Sequence, residues 1–223
     1  MSRDAMLGAI RRGLKRGKLE GEAAAPLEAR LAQHRAGVVP GRGQIPHADQ
    51  VALFKRMAQA YHCSIAEATT PRAVPALIAD YLTQHNLPSR AVAATDALLD
   101  QCDFSQTPLL ELRCGAARDQ DAVSITSALG AVAETGTMVF TSGPDHPTTL
   151  NLLPETHIVV LRKSQVVGTY EQMLAALRAR YGEAKMPRTV NTVTGPSRTG
   201  DIEQTMLLGA HGPRRMHVVL VDG

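Results

Sequence analysis

Apolar positions along the 223-residue chain change their period near residue 62. Before it, Met6, Leu7, Ile10 and Leu14 recur at helical spacing behind Ser2, a good N-cap, and predict a first helix ending near Gly13 or Gly17. Residues 36–47, AGVVPGRGQIPH, hold too much Gly and Pro for a helix and read as an extended linker. A second helix is expected from about Asp49, with Val51, Leu53, Phe54, Met57 and Ala58 on its apolar side.

From residue 62 onward, short apolar runs alternate with helical stretches, the signature of βαβ units. His62 to Ala68, Ala91 to Ala94, Leu109 to Arg113 and His157 to Leu161 read as strands. Thr189 to Thr194 reads as the penultimate strand and Met216 to Val221 as the closing one. Helices are expected over Arg72 to Gln84, Tyr170 to Tyr181 and Asp201 to Leu208. Between them, residues 128–142 place Glu-Thr-Gly-Thr between two apolar runs with no room for a helix, which predicts a hairpin or bent strand pair. The pattern therefore predicts an α/β fold, a largely parallel sheet covered on both faces, at residues 62–223. Residues 1–61 form an N-terminal helical arm and linker in this reading.

Composition adjusts this picture in three ways. Hydrophobic residues at 44% and charged residues at 20% exclude a disordered chain. Aromatics at 3%, with no Trp, leave a core of aliphatic side chains and disfavour base-stacking on single-stranded nucleic acid. The net charge of +3 is unevenly placed: residues 1–42 hold nine Lys/Arg against four Asp/Glu, a net of +5, so the remainder carries −2. Arg11, Arg12, Lys15, Arg16 and Lys18 are the densest cluster, and Glu20, Glu22 and Glu28 follow at once. That mixture suits a solvated helix face or a partner-protein contact better than a nucleic-acid grip. With no apolar run of membrane-spanning length and no secretory signal pattern at residues 1–20, a cytoplasmic protein is expected. Cys63, Cys102 and Cys114 form no C-x-x-C pair, and the eight His form no H-x-x-x-H pattern, so neither a disulfide framework nor a metal site is expected.

Two stretches could carry chemistry. In the first, Glu134, Thr135, Gly136 and Thr137 set a carboxylate, a glycine and two hydroxyls inside an apolar segment. A charge there is costly unless it faces a cleft or a cation, so Glu134 reads either as a catalytic base or nucleophile beside an anion site, or as part of a turn. In the second, Gly195, Ser197, Arg198 and Thr199 follow a strand and open the expected helix, where free amides and a guanidinium fork suit a carboxylate or phosphate. Asp201 and Glu203 would then complement the helix dipole, and His211 would cap its end. The loop around His146 is a third polar stretch, readable as a lid.

Three segments occur in a characteristic order: Ala133-Glu134-Thr135-Gly136-Thr137, Leu153-Pro154-Glu155-Thr156-His157, and Gly195 to Glu203 followed by Gly209-Ala210-His211-Gly212-Pro213. In that order and spacing the chain resembles the LUD domain, specifically the lactate utilization protein C group, over residues 62–223. The resemblance implies a three-layer α/β/α fold similar to glucosamine-6-phosphate deaminase, ribose-5-phosphate isomerase and the CoA transferases. It also implies an accessory role in a three-protein system converting L-lactate to pyruvate, whose other two members carry the iron–sulfur clusters while this chain holds none. CoA transferases use a glutamate nucleophile, and its likeness to Glu134 is analogy at the level of the fold. The alternative function is a stand-alone enzyme acting on a sugar phosphate, a folate-like molecule or an acyl-CoA, with a small-molecule sensor as a third reading.

Overall fold

A computed structural model of the chain describes residues 2–17, 19–182, 185–202 and 205–222, with residues 199–202 and 205–208 described by their backbone alone. Two compact units result, Met1–Val39 and Pro40–Gly223. In the first, α1 (Arg3–Gly13) is capped by the Ser2 hydroxyl, which accepts from the Ala5 amide at 3.2 Å, as its sequence signals. A further helix, α2 (Ala25–Gln33), opens with Pro26 in its first turn and ends on His34 in the left-handed region.

The second unit starts earlier than residue 62. Helix α3 (His47–Ala60), assigned by pattern to the arm, buries Leu53, Phe54 and Ala58 in the core of the α/β unit. The strands and helices then run β1 (Ser64–Ala68), α4 (Val74–Gln84), β2 (Arg90–Ala93), β3 (Glu111–Cys114), β4 (Val123–Ser127), β5 (Gly130–Val132) and β6 (Thr137–Thr141). They continue with the short α5 (Thr149–Leu152), β7 (Thr156–Arg162), β8 (Val166–Val167), α6 (Tyr170–Tyr181), β9 (Val190–Val193), β10 (Arg198–Ile202), β11 (Thr205–Leu208) and β12 (Arg215–Val221).

Six strands form one all-parallel sheet in the order β1-β12-β7-β4-β2-β3. Because side chains alternate along a strand, β7 sends Ile158 and Val160 to one face and Val159 and Leu161 to the other. β12 does the same with Val219 and Val221 against Val218 and Leu220. The first face packs on Val74, Ile78 and Leu82 of α4. The opposite face is covered by α3 and by a second sheet, β8-β5-β6-β9, through Ala131, Met138 and Phe140. Helix α6 closes that second sheet from outside, with Met173 against Val132 and Val139.

The predicted hairpin at 128–142 is present as the antiparallel pair β5–β6. Two expectations are corrected. The strand read at Thr189 to Thr194 forms, but as β9 it pairs antiparallel with β6 in the smaller sheet. No helix spans Asp201 to Leu208: β10 and β11 pair antiparallel as a separate two-stranded ribbon, with Arg198 opposite Leu208. The reading of Asp201 as a helix N-terminal residue and of His211 as a helix cap falls with that helix, and Glu203 lies outside the described residues.

Candidate functional site

Glu134 lies at the hairpin turn, 3% exposed, beneath the start of α6. Its Oε1 accepts from the Tyr170 amide at 3.2 Å, and its Oε2 faces the Arg42 Nε at 3.7 Å. Oε2 has no hydrogen bond, so Arg42 is the cation that makes a buried carboxylate tolerable here. Arg42 reaches it because Gly43 and Gly168 meet backbone to backbone: a Cβ on Gly168 would come within 1.8 Å of the Gly43 carbonyl oxygen. Gly136 adopts φ +67 against the backbone of α3 at Ala58, which pins the turn.

Beside the carboxylate runs a chain of hydroxyls. Thr135 and Thr137 approach at 2.8 Å, Thr137 and Thr194 at 2.6 Å, and the Tyr170 hydroxyl donates to Thr137 at 3.0 Å. The first sequence stretch and the threshold of the second are thereby brought together. Gly195, at φ +75, packs on the Tyr61 carbonyl and turns the chain away from this cluster. Beyond it Ser197 is tied to the loop before β12: its amide donates to the Pro213 carbonyl at 2.8 Å, and its hydroxyl accepts from the His211 amide at 3.3 Å. Arg198 is exposed and lines a separate cleft with Arg214 and Arg215. The Thr199 side chain lies outside the described residues.

A polar cleft of about 480 Å³ lies at the carboxyl edge of the parallel sheet, and of its lining only the loop around His146 stands out in the sequence. The chain leaves β2 toward β3 and leaves β4 toward β7, so the neighbours β2 and β4 part company at their carboxyl ends. Such a switch point opens a crevice where ligands bind in parallel α/β sheets. Thr95, Asp96, Ser127, His146, Arg162 and Arg180 line it. Asp96 bridges the two strands: Oδ2 accepts from the Ser127 hydroxyl at 2.8 Å and from its amide at 3.3 Å. Its Oδ1 accepts from the Leu98 and Leu99 amides, both at 3.1 Å. Arg162, the last residue of β7, is steered by a hydrogen bond to Gln101, and Arg180 lies over the Tyr181 ring with 5.8 Å to its centroid. Two guanidiniums, the carboxylates of Asp96 and Asp145 and an imidazole thus converge from four parts of the sequence.

The LUD domain family matches residues 51–221. This chain belongs to the LUD domain family. The match begins within α3, in keeping with that helix's place in the core. Among curated relatives, the LUD chain is 33% identical to "Lactate utilization protein C" of Shouchella clausii over 100 residues, 45% of this chain and 44% of that protein. It is 35% identical to the protein of the same name from Bacillus subtilis over 105 residues, 47% and 44% of the two chains. The chain thus spans less than half the length of these relatives. A crystal structure of a DUF162 family protein from Deinococcus radiodurans superposes with a TM-score of 0.57 at 22% identity, covering 79% of this chain and 99% of that one. It shows the shared fold.

Burial decides the titration of several groups in the LUD domain. Desolvation pushes the Cys63 thiol up to about 12 and, with the charge of Asp96, the Cys102 thiol up to about 11, so both are protonated at neutral pH. Burial holds His146 below the ordinary histidine value, against the opposing hydrogen bond that it donates to the Asn151 side-chain oxygen and the charge of Asp96. The ring is therefore neutral at physiological pH, able to accept or donate a proton at the cleft. Among the described residues, no group of three or more His, Cys, Asp or Glu is placed to hold a metal ion.

Proposed function

We propose that this chain is a component of a lactate-utilization system in the cytoplasm, binding a small carboxylate in the switch-point cleft while partner subunits hold the iron–sulfur clusters. The observation that carries the reading is the composition of that cleft in a chain related to proteins named for lactate utilization. An α-hydroxy acid needs a cation for its carboxylate and an acceptor for its hydroxyl. Arg162 and Arg180 supply the first and the neutral His146 supplies the second, while Asp96, committed to Ser127, Leu98 and Leu99, fixes the floor of the cleft. The cleft is roomier than a three-carbon acid requires, which leaves space for a partner's side chain or for the group that accepts electrons.

Division of labour follows from the cysteines. Cys63 and Cys102 are buried, protonated thiols and Cys114 is a single exposed one, whereas a cluster needs several thiolates side by side. Clusters, when present on partners, supply the one-electron carriers, and this chain's residues bind, orient and exchange a proton with the acid. Glu134, braced by Arg42 and Tyr170, keeps α6 and therefore Arg180 and Tyr181 in position. In the described residues no helix is long and apolar enough to cross a membrane.

The test has two parts. Calorimetric titration with L-lactate, pyruvate and acetate is expected to show saturable binding of the hydroxy acid, lost in Arg162→Ala. A pull-down of the tagged chain from cells growing on L-lactate is expected to recover iron–sulfur proteins. Recovery of the chain alone, together with no lactate binding, would overturn the proposal in favour of a stand-alone enzyme.

A further inference from the structure

At the amino edge of the parallel sheet, where β1 and β12 begin side by side, lies a second cleft of about 310 Å³. Arg198, Arg214 and Arg215 surround it with Ser64, and Tyr81, Pro196 and Met216 supply its less polar walls. Among the described residues no carboxylate lines it. Arg214 faces Glu155 at 3.9 Å with both side chains exposed, and among the described residues Arg198 and Arg215 have no ion-pair partner. Three like charges converging with only one long, exposed carboxylate contact among them raise one another's energy, and an anion between them relieves it.

The convergence is built by backbone. Ser197 is fastened on three sides, to Pro213 and His211 as described and by its carbonyl, which accepts from the Gly209 amide at 3.0 Å. The amides of Arg214 and Arg215 both donate to the Glu155 carbonyl, at 2.8 and 3.0 Å. Gly209, at φ +84, lies so close to the Arg214 stem that a Cβ there would come within 2.1 Å of Arg214 Cγ. The two conspicuous loop segments of the sequence are therefore stitched to each other, and the product of the stitching is the arginine cluster.

Ser64 completes the donor set. Its hydroxyl lies 2.8 Å from Nδ1 of His217, a ring 4% exposed, stacked on Tyr81 at 4.0 Å. Nε2 of His217 is buried without a partner. An orphaned N–H is disfavoured more than an orphaned lone pair, so the proton belongs on Nδ1, which donates to Ser64. The Ser64 proton is then not spent on His217, and within its reach are the Met216 carbonyl, at a long 3.5 Å, the Tyr81 hydroxyl and the cleft itself.

We propose that this cleft binds a phosphate group borne by a small organic molecule, whose uncharged part rests on Tyr81, Pro196 and Met216. A carboxylate is satisfied by one guanidinium fork, whereas three guanidiniums and a hydroxyl match a tetrahedral dianion. The site stands at the opposite edge of the sheet from the switch-point cleft and does not depend on the lactate reading.

Titration of the full chain at low ionic strength with inorganic phosphate, phenyl phosphate and acetate tests it. Phenyl phosphate is expected to bind saturably, more tightly than inorganic phosphate, and both more tightly than acetate. Arg198→Ala removes an exposed side chain, so the fold, checked by circular dichroism, should persist while phosphate affinity falls roughly tenfold or more. Ser64→Ala should weaken binding by a smaller factor. Arg162→Ala, at the other edge, should leave phosphate binding intact, which separates failure here from failure of the lactate reading. Absence of saturable binding, equal affinity for acetate, or binding indifferent to Arg198→Ala would overturn the proposal. Binding of inorganic phosphate without phenyl phosphate would overturn its organic part.

Discussion

The carboxyl edge of the parallel sheet offers a cleft made by topology, lined by both signs of charge and bridged by one carboxylate. The amino edge offers a cleft made by loop stitching, lined by cations and backed by a hydroxyl hydrogen-bonded to one buried histidine. Strand order alone opens the first, so its residues can be scattered and still meet. The second needs particular backbone contacts between two loops, so its residues come from recognisable local segments.

Acid should distinguish the edges most strongly. His157 is fully buried, its Nε2 2.8 Å from the Thr126 hydroxyl, and burial lowers it to about 3; burial and His85 lower His217 to about 4. Both pair in register at the amino half of β7 and β12. Their folded values lie below the ordinary 6.5, so the unfolded chain binds more protons between those limits. Their contribution is complete above pH 6.5 and is lost as pH falls toward 4 and then 3, on the order of several kcal/mol together. Denaturant melts from pH 7.5 to 4 should show the decline, and His217→Gln should make it shallower.

Next in size is Asp96→Ala, which strips acceptors from Ser127, Leu98 and Leu99 and should cost about 3 kcal/mol in urea unfolding while weakening any ligand at the carboxyl edge. Gly209→Ala strains a left-handed position and displaces the Arg214 stem. A loss of about 1–2 kcal/mol is expected, with phosphate affinity reduced and carboxylate binding untouched. Glu134→Gln leaves Arg42 without a counterion but keeps the Tyr170 amide satisfied, for a loss of about 1 kcal/mol by thermal melt. Smallest is Glu155→Gln: its pair with Arg214 is long and exposed, so unfolding stability should move by less than about 0.5 kcal/mol.

Much of the fold is legible in period alone. The β5–β6 hairpin could be read because Gly136 separates two apolar runs too short for a helix, and α6 because Thr169 and Gln172 form a capping box before Met173 and Leu177. The segment from Asp201 to Leu208 misleads: an acidic residue after Thr-Gly, followed by Met206, Leu207 and Leu208, satisfies a helix pattern and a strand pattern alike. Pairing decides it, since Arg198 meets Leu208 across the ribbon, and pairing is not a local property. For the same reason Glu134, Thr135, Thr137 and Ser197 stood out, while Asp96, Ser127 and Arg162 did not. The latter converge only once β2, β4 and β7 are laid side by side. The signal available was an Asp three residues past β2 that accepts from the Leu98 and Leu99 amides, a cap at a strand's carboxyl end.

The position of β12 also governs when the protein can exist. It follows the other five strands of its sheet in the sequence, yet it lies between β1 and β7 and holds them in one sheet. Until residue 221 has emerged, β1 has no neighbour and waits with its apolar side chains uncovered, through the synthesis of more than half the domain. Completion is therefore a single late event spanning almost the whole α/β unit, a long-range closure of the slow kind. A nascent chain halted before β12 would leave β1 wholly unpaired and one edge of β7 open, and it is at that moment that a chaperone would find the most to hold.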